Sequence, residues 1–142
     1  MTRVHHLSLG VHDLQRSLRF YDAALEPLGW GRVWTYLRPG EPGQGAGYGR
    51  PGEPEVLALK ERPREDVHLG SGFHLALAAP TRAAVHLFHE RALAAGGRDA
   101  GPPGPRPAYG DHYYAAFVLD PDGHRLEAVI DDAPGPARGI AP

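Results

Sequence analysis

The chain has 142 residues, 42% hydrophobic and 23% charged, a balance that suits one globular domain with a core of its own. Fifteen basic against 17 acidic residues leave a formal net charge of −2, with no electrostatic footprint for nucleic acid or an anionic membrane. Cysteine is absent, which excludes disulfides, thiolate metal sites and cysteine nucleophiles, and no apolar run approaches the roughly 20 residues that span a bilayer.

Met1 to Leu9 lacks the apolar region of a signal peptide, so the expected location is the cytoplasm. Val4 to Val11 reads as a strand, because Leu7, Leu9 and Val11 alternate with His6, Ser8 and Gly10. Asp13 is placed to cap a helix carrying Leu14, Leu18, Tyr21 and Leu25 at helical spacing, which Pro27 and Gly29 end. Trp30 to Leu37 is a second strand, and Val56 to Lys60 closes the first half. Between them, Arg38 to Pro54 is rich in Gly and Pro and reads mostly as a loop, with a short strand near Gly45 to Gly49. Such a loop serves either as a lid or as a plain surface excursion.

The pattern then restarts. Phe73 to Ala79 is a strand, and Thr81 caps a helix that runs to Ala95 and stops at Gly96 and Gly97. Gly101 to Gly110 reads as a Pro/Gly-rich connection. Tyr113 to Leu119 and Arg125 to Ile130 are strands joined by the turn Asp120-Pro121-Asp122-Gly123. The tail, 134–142, reads as loose.

At an offset of 68 residues, His6, Leu7, Leu9, Phe20, Ala24 and Leu25 lie over His74, Leu75, Leu77, Phe88, Ala92 and Leu93. An internal repeat of this kind constrains the whole fold. It predicts an α+β domain over 1–133, built from two βαβββ modules, about 3–61 and 71–131. They should form a curved mixed sheet around a cleft, with the helices outside.

Strand parity then predicts a site. Leu7 and Leu9 face the first helix, so His6 and Ser8 face inward. Leu75 and Leu77 face the second helix, so His74 faces inward; Leu126, Ala128 and Ile130 leave Glu127 inward. Two imidazoles and one carboxylate suit a single Zn, Fe, Mn, Co or Ni ion with positions open for water and substrate. The plain alternative makes His6 and His74 interior histidines and Glu127 a rim carboxylate. His5 has helix-facing parity and no counterpart in the repeat. His86 and His89 share a helix face with nothing acidic to complete a site, so solvent exposure is expected there. His12 and His68 fall at strand or loop ends, and His124 is expected to be exposed after the turn.

Three segments carry a family resemblance: His6 to Leu14 (HLSLGVHDL) with Ser17, Phe20 and Tyr21; Phe73 to Leu77 (FHLAL); and Ala116 to Gly123 (AFVLDPDG) running to Glu127. They resemble the vicinal oxygen chelate superfamily, which includes glyoxalase I, fosfomycin and bleomycin resistance proteins, methylmalonyl-CoA epimerase and extradiol dioxygenases. The resemblance covers Val4 to about Asp131. It implies metal ligands on the first and closing strands of the halves, which here are His6, His74 and Glu127.

The departures from the family pattern are specific. The fourth ligand of glyoxalase I, a Glu on the closing strand of the first half, falls at Ala58. The dioxygenase Tyr three residues before the Asp-Pro turn is Phe117, which removes a phenol able to exchange a proton. His112 stands closer to the turn than the corresponding dioxygenase His. The resemblance therefore implies Glu127 and His112 as catalytic residues, with Ser8, Tyr113 and Phe117 lining the substrate pocket. Tyr114 is expected to point the other way.

The function implied is that of a metal-dependent, glyoxalase- or dioxygenase-like enzyme acting on a small molecule with two adjacent oxygens held by one divalent metal ion. The alternatives are a metal-free, bleomycin-sequestering type of drug-binding protein and a fosfomycin-type thiol or water transferase. The resemblance also implies a homodimer, with His6 meeting His74 and Glu127 within one chain or across two. Neither nucleic acid nor a membrane is an expected partner.

Overall fold

Asp13 separates the first strand from the first helix. In the computed structural model its backbone is extended (φ −124°, ψ 101°) and its side chain accepts a hydrogen bond from the Arg16 N–H at 3.1 Å. That bond satisfies one of the N–H groups a helix start leaves unpaired. The structure describes residues 2–132, so the tail expectation for 134–142 lies outside the described residues.

The first module runs through β1 (Leu7–Val11), α1 (Leu14–Leu25), β2 (Gly31–Tyr36), β3 (Gly45–Gly49) and β4 (Leu57–Glu61). Its sheet has the order β1-β4-β3-β2, with β1 parallel to β4 and the other pairs antiparallel. The second module repeats it with β5 (Leu75–Ala78), α2 (Arg82–Ala94), β6 (Arg98–Pro105), β7 (Tyr113–Leu119) and β8 (Arg125–Asp131), in the order β5-β8-β7-β6. Thr81 Oγ1 accepts the Ala84 N–H at 3.0 Å and caps α2, as Asp13 caps α1.

The α+β repeat is thus as the sequence predicts, and the sheets remain two, sharing no hydrogen-bonded strand pair among the described residues. The modules join through their helices, α1 against α2, in one continuous apolar core. Polar links reinforce the joint. Buried Tyr21 donates its O–H to Asp120 at 2.6 Å, and Arg16 pairs with Asp122 at 3.1 Å. His124 Nε2 lies 2.7 Å from the Gly10 carbonyl. His124 is therefore buried, not exposed: the 120–123 turn folds onto the first module and carries His124 with it.

One strand lies where the sequence reading expected it, and one does not. Residues 45–49 are an interior strand, buried along its length between β2 and β4, so the loop is confined to the segments on either side. Glycine is needed there for space. A Cβ at Gly47 would stand 2.0 Å from Trp34 Nε1, because the indole lies flat on the strand. β6 occupies the first half of the expected Pro/Gly connection. It is a sheet edge with two register shifts, where proline costs no ladder bond.

Candidate functional site

Register fixes which side chains share a face. In the first sheet one row reads Ser8, Ala58, Gly47, Trp34. In the second sheet the equivalent row reads Ala76, Glu127, Phe117, Gly101. Leu75, Leu77, Leu126 and Ala128 are buried on the opposite side with the helices. Ala58 is thus the structural counterpart of Glu127. The aromatic–glycine neighbours exchange places between the rows: Trp34 covers Gly47 in one, and Phe117 lies over Gly101 in the other. Where a second carboxylate would stand, the first module has a methyl group, 2% exposed, beside the indole-covered Gly47.

The second row carries a polar cluster. His74, just before β5, places Nε2 at 2.9 Å from Glu127 Oε1. Tyr113 donates its O–H to the other oxygen, Oε2, at 2.5 Å. Glu127 is 1% exposed, so its carboxylate takes both contacts largely out of water. Burial, then the bond to Glu127, pushes the Tyr113 phenol well above the ordinary tyrosine range. Its proton stays on oxygen and remains a donor at neutral pH. The Phe117 ring meets the His74 ring edge-on at 5.8 Å, and Tyr109 stands 5.3 Å from Tyr113. Tyr114 points to the helix side, 2.6 Å from His86 Nε2, as parity predicts.

The other expected site residues stand apart. His6 is exposed ahead of β1, with Nδ1 2.8 Å from His5 Nδ1. Ser8 is exposed on the first sheet. His112 is half-buried in the turn before β7 and makes no hydrogen bond to His74 or Glu127 among the described residues. Among the described residues of one chain, no three His, Asp or Glu side chains gather into a metal-binding group. His86 and His89 do not form a shared site: the first meets Tyr114 and the second Asp99 at 2.9 Å.

The donor chemistry of the His74–Glu127 pair suits a divalent ion. Two ligands at right angles on one ion, with bonds of about 2.1 Å, stand roughly 3 Å apart. The 2.9 Å spacing of Nε2 and Oε1 is of that size. Tyr113 is the kind of outer partner that orients a ligating carboxylate. Two residues that the sequence reading passed over, Tyr109 and Arg106, also stand here. The Arg106 guanidinium lies 5.6 Å over the Phe117 ring.

A duplicated βαβββ chain with a histidine–carboxylate pair on one sheet face defines a recognisable structural class. The chain belongs to the Glyoxalase/Bleomycin resistance protein/Dioxygenase superfamily, whose profile matches residues 3–128. It is similar to a glyoxalase/bleomycin resistance protein from Albidiferax ferrireducens T118, at 29% identity over 87% of this chain and 94% of that one, with a TM-score of 0.66. Glyoxalase I from Zea mays matches at 26% identity and TM-score 0.64, over 87% of this chain but only 44% of its own. The fosfomycin resistance protein FosX from Listeria monocytogenes shares the fold, at 17% identity, TM-score 0.64 and 91% and 93% coverage. A search of curated proteins returned no match. Among the described residues no helix is long and apolar enough to cross a membrane.

Proposed function

We propose that this protein is a metal-dependent enzyme, glyoxalase- or dioxygenase-like, acting on a small molecule with two adjacent oxygens. His74 and Glu127 are the ligands from the second module, and His6 of a second copy completes the set. One observation carries this reading: a nearly buried carboxylate holds His74 on one oxygen and Tyr113 on the other, on the sheet face away from the helices. When bound, the ion supplies Lewis acidity toward a substrate oxygen.

The chain's own residues do the rest. Tyr113 fixes the rotation of the Glu127 carboxylate, while Phe117 and Tyr109 wall the face with aromatic surface. His6 has inward parity at the head of β1, yet among the described residues the two sheets share no strand pair within one chain. A homodimer that sets β1 of one copy beside β5 and β8 of the other meets that requirement.

A second reading also has specific support. Trp34 is 36% exposed and Tyr36 43% exposed on the first sheet, and Ala58 supplies no carboxylate there. An aromatic face of this kind suits drug sequestration without a metal.

Elemental analysis of the purified protein separates the two. The enzyme reading expects about one first-row divalent ion per chain, lost in His74→Ala and in Glu127→Ala. A metal-free wild type that binds bleomycin would favour sequestration. With the ion identified, catechols, hemithioacetals and fosfomycin are the substrates to screen.

A further inference from the structure

Arg106 sits in a seat made for a guanidinium. Its Nη2 donates to the Pro102 carbonyl at 2.7 Å, and its Nη1 donates to the carbonyls of Gly104 at 3.0 Å and Pro105 at 3.3 Å. Its Cζ lies 5.6 Å from the centre of the Phe117 ring, within cation–π range. The segment Gly101-Pro-Pro-Gly-Pro-Arg106 accounts for the seat. A Cβ at Gly101 would stand 3.3 Å from Nη2, and one at Gly104 would stand 3.4 Å from Nη1. The two glycines leave the room, and the edge-strand prolines offer carbonyls without competing N–H groups.

All three anchoring partners are neutral. Among the described residues Arg106 makes no ion pair, whereas Arg16, Arg32, Arg82 and Arg91 each do. A guanidinium has five N–H groups, and three are used, leaving Nε–H and one on Nη2. Its charge therefore stands without a carboxylate partner, held over Phe117, whose other neighbour is His74.

The geometry points to Arg106 as the specificity residue of this face, recognising an oxyanion on the substrate, a carboxylate or a phosphonate, at a distance from the atoms nearest His74. The inference rests on the reading of this face as the substrate site. It does not require the metal, because the seat is made of protein atoms alone. Arginine suits the task, since its planar fork matches a carboxylate or phosphonate where an ammonium does not. The aromatic walls argue for an aryl or similarly flat body behind the anion.

The test uses protein as purified and after chelator treatment. Each is titrated with benzoate, phenylphosphonate and benzyl alcohol, following the amide signals of Gly101, Gly104 and Phe117 and the Arg106 Nε–H by NMR. The better anion is expected to bind at least tenfold more tightly than benzyl alcohol, with or without chelator, and to shift the Nε–H signal. The preference between the two anions assigns carboxylate or phosphonate. Arg106→Gln should erase the advantage and Arg106→Lys should restore part of it. The proposal fails if the alcohol binds as well as either anion, or if the advantage survives Arg106→Gln. It fails too if chelation abolishes the advantage, which would put the anion on a metal. Should Arg106→Gln not fold, the wild-type ligand comparison and the Nε–H shift decide alone. Absence of metal from the purified protein overturns the enzyme reading and leaves this expectation standing.

Discussion

Tyr113 donates its phenolic O–H to Glu127 Oε2 at 2.5 Å, the oxygen that His74 does not engage. The phenol absent from position 117 thus has a counterpart on the same sheet face, four residues earlier in β7. Register brings this about: Phe117 pairs directly with Glu127, while Tyr113 pairs with Asp131 and reaches back along β8. The carboxylate is held from both sides before any ligand arrives.

Tyr113→Phe is expected to weaken divalent-metal affinity by about tenfold to a hundredfold, because an oriented outer partner is worth that much to a ligand. Its effect on folding should be similar in size, about 1.5–3 kcal/mol, the usual value of a hydrogen bond to a charged group. Competition with a chromophoric chelator reads the first and urea denaturation the second. An unchanged metal affinity would mean that the phenol only packs.

The link between modules should show itself in pH dependence. Burial raises the Asp120 carboxyl above its ordinary range, and the Tyr21 O–H pulls it back down. The folded state therefore binds the Asp120 proton more tightly than the unfolded chain, whose Asp titrates near pH 3.9. On that account stability is fullest below about pH 3.9 and declines as pH rises through the folded pKa. Tyr21→Phe removes the bond that limits the decline. Its destabilisation, about 1–3 kcal/mol at pH 7, should shrink toward pH 4, where Asp120 is more protonated. Denaturation of both proteins at the two pH values checks this; equal losses at both would mean that Asp120 does not titrate as described.

How much of this was legible in the sequence depends on how local the cause is. Asp13 and Thr81 announce their helices because a cap acts within three residues. Leu7, Leu9, Leu75 and Leu77 announce their faces because alternation is a property of one strand. By contrast, the strand near Gly45 to Gly49 was legible but its interior place was not, because Gly45 and Gly47 answer to Trp34, eleven and thirteen residues earlier in the chain. β6 was hidden because proline and glycine read as loop, although an edge strand tolerates both. His124 read as exposed because its partner, the Gly10 carbonyl, belongs to the other module. Parity put Glu127 and His74 on one face, and register brought them together. Parity alone carries no information on whether β1 reaches that face.

Gly47 and Gly97 differ in what a methyl group would meet, and stability should follow that difference. At Gly47 the obstacle is the Trp34 ring, a partly exposed side chain that can swing aside. Gly47→Ala should cost about 1 kcal/mol and change tryptophan fluorescence as the indole moves. At Gly97 a Cβ would stand 2.6 Å from the buried Phe20 ring and 2.9 Å from the carbonyls of Ala92 and Leu119. Backbone does not swing aside, so Gly97→Ala should cost about 3 kcal/mol. Urea midpoints in the reverse order would show that Trp34 is held more firmly than its exposure suggests.

Whether His6 joins the His74–Glu127 pair within one chain or across two can be decided by complementation. His6→Ala and His74→Ala each remove one ligand, and either variant alone should lose the metal. Suppose that each site takes His6 from one copy and His74 with Glu127 from the other. A mixed dimer then has one site missing both imidazoles and one site intact. Random pairing of equal amounts makes half the dimers mixed, so about a quarter of the wild-type metal should return after co-refolding. A site built within one chain cannot be rescued this way, because every chain in the mixture lacks one ligand. Metal content after mixing, with each variant refolded alone as the control, therefore separates the two arrangements. Return of metal would also show that the exposed His5–His6 pair rearranges on assembly, since in the single chain His6 is turned toward His5.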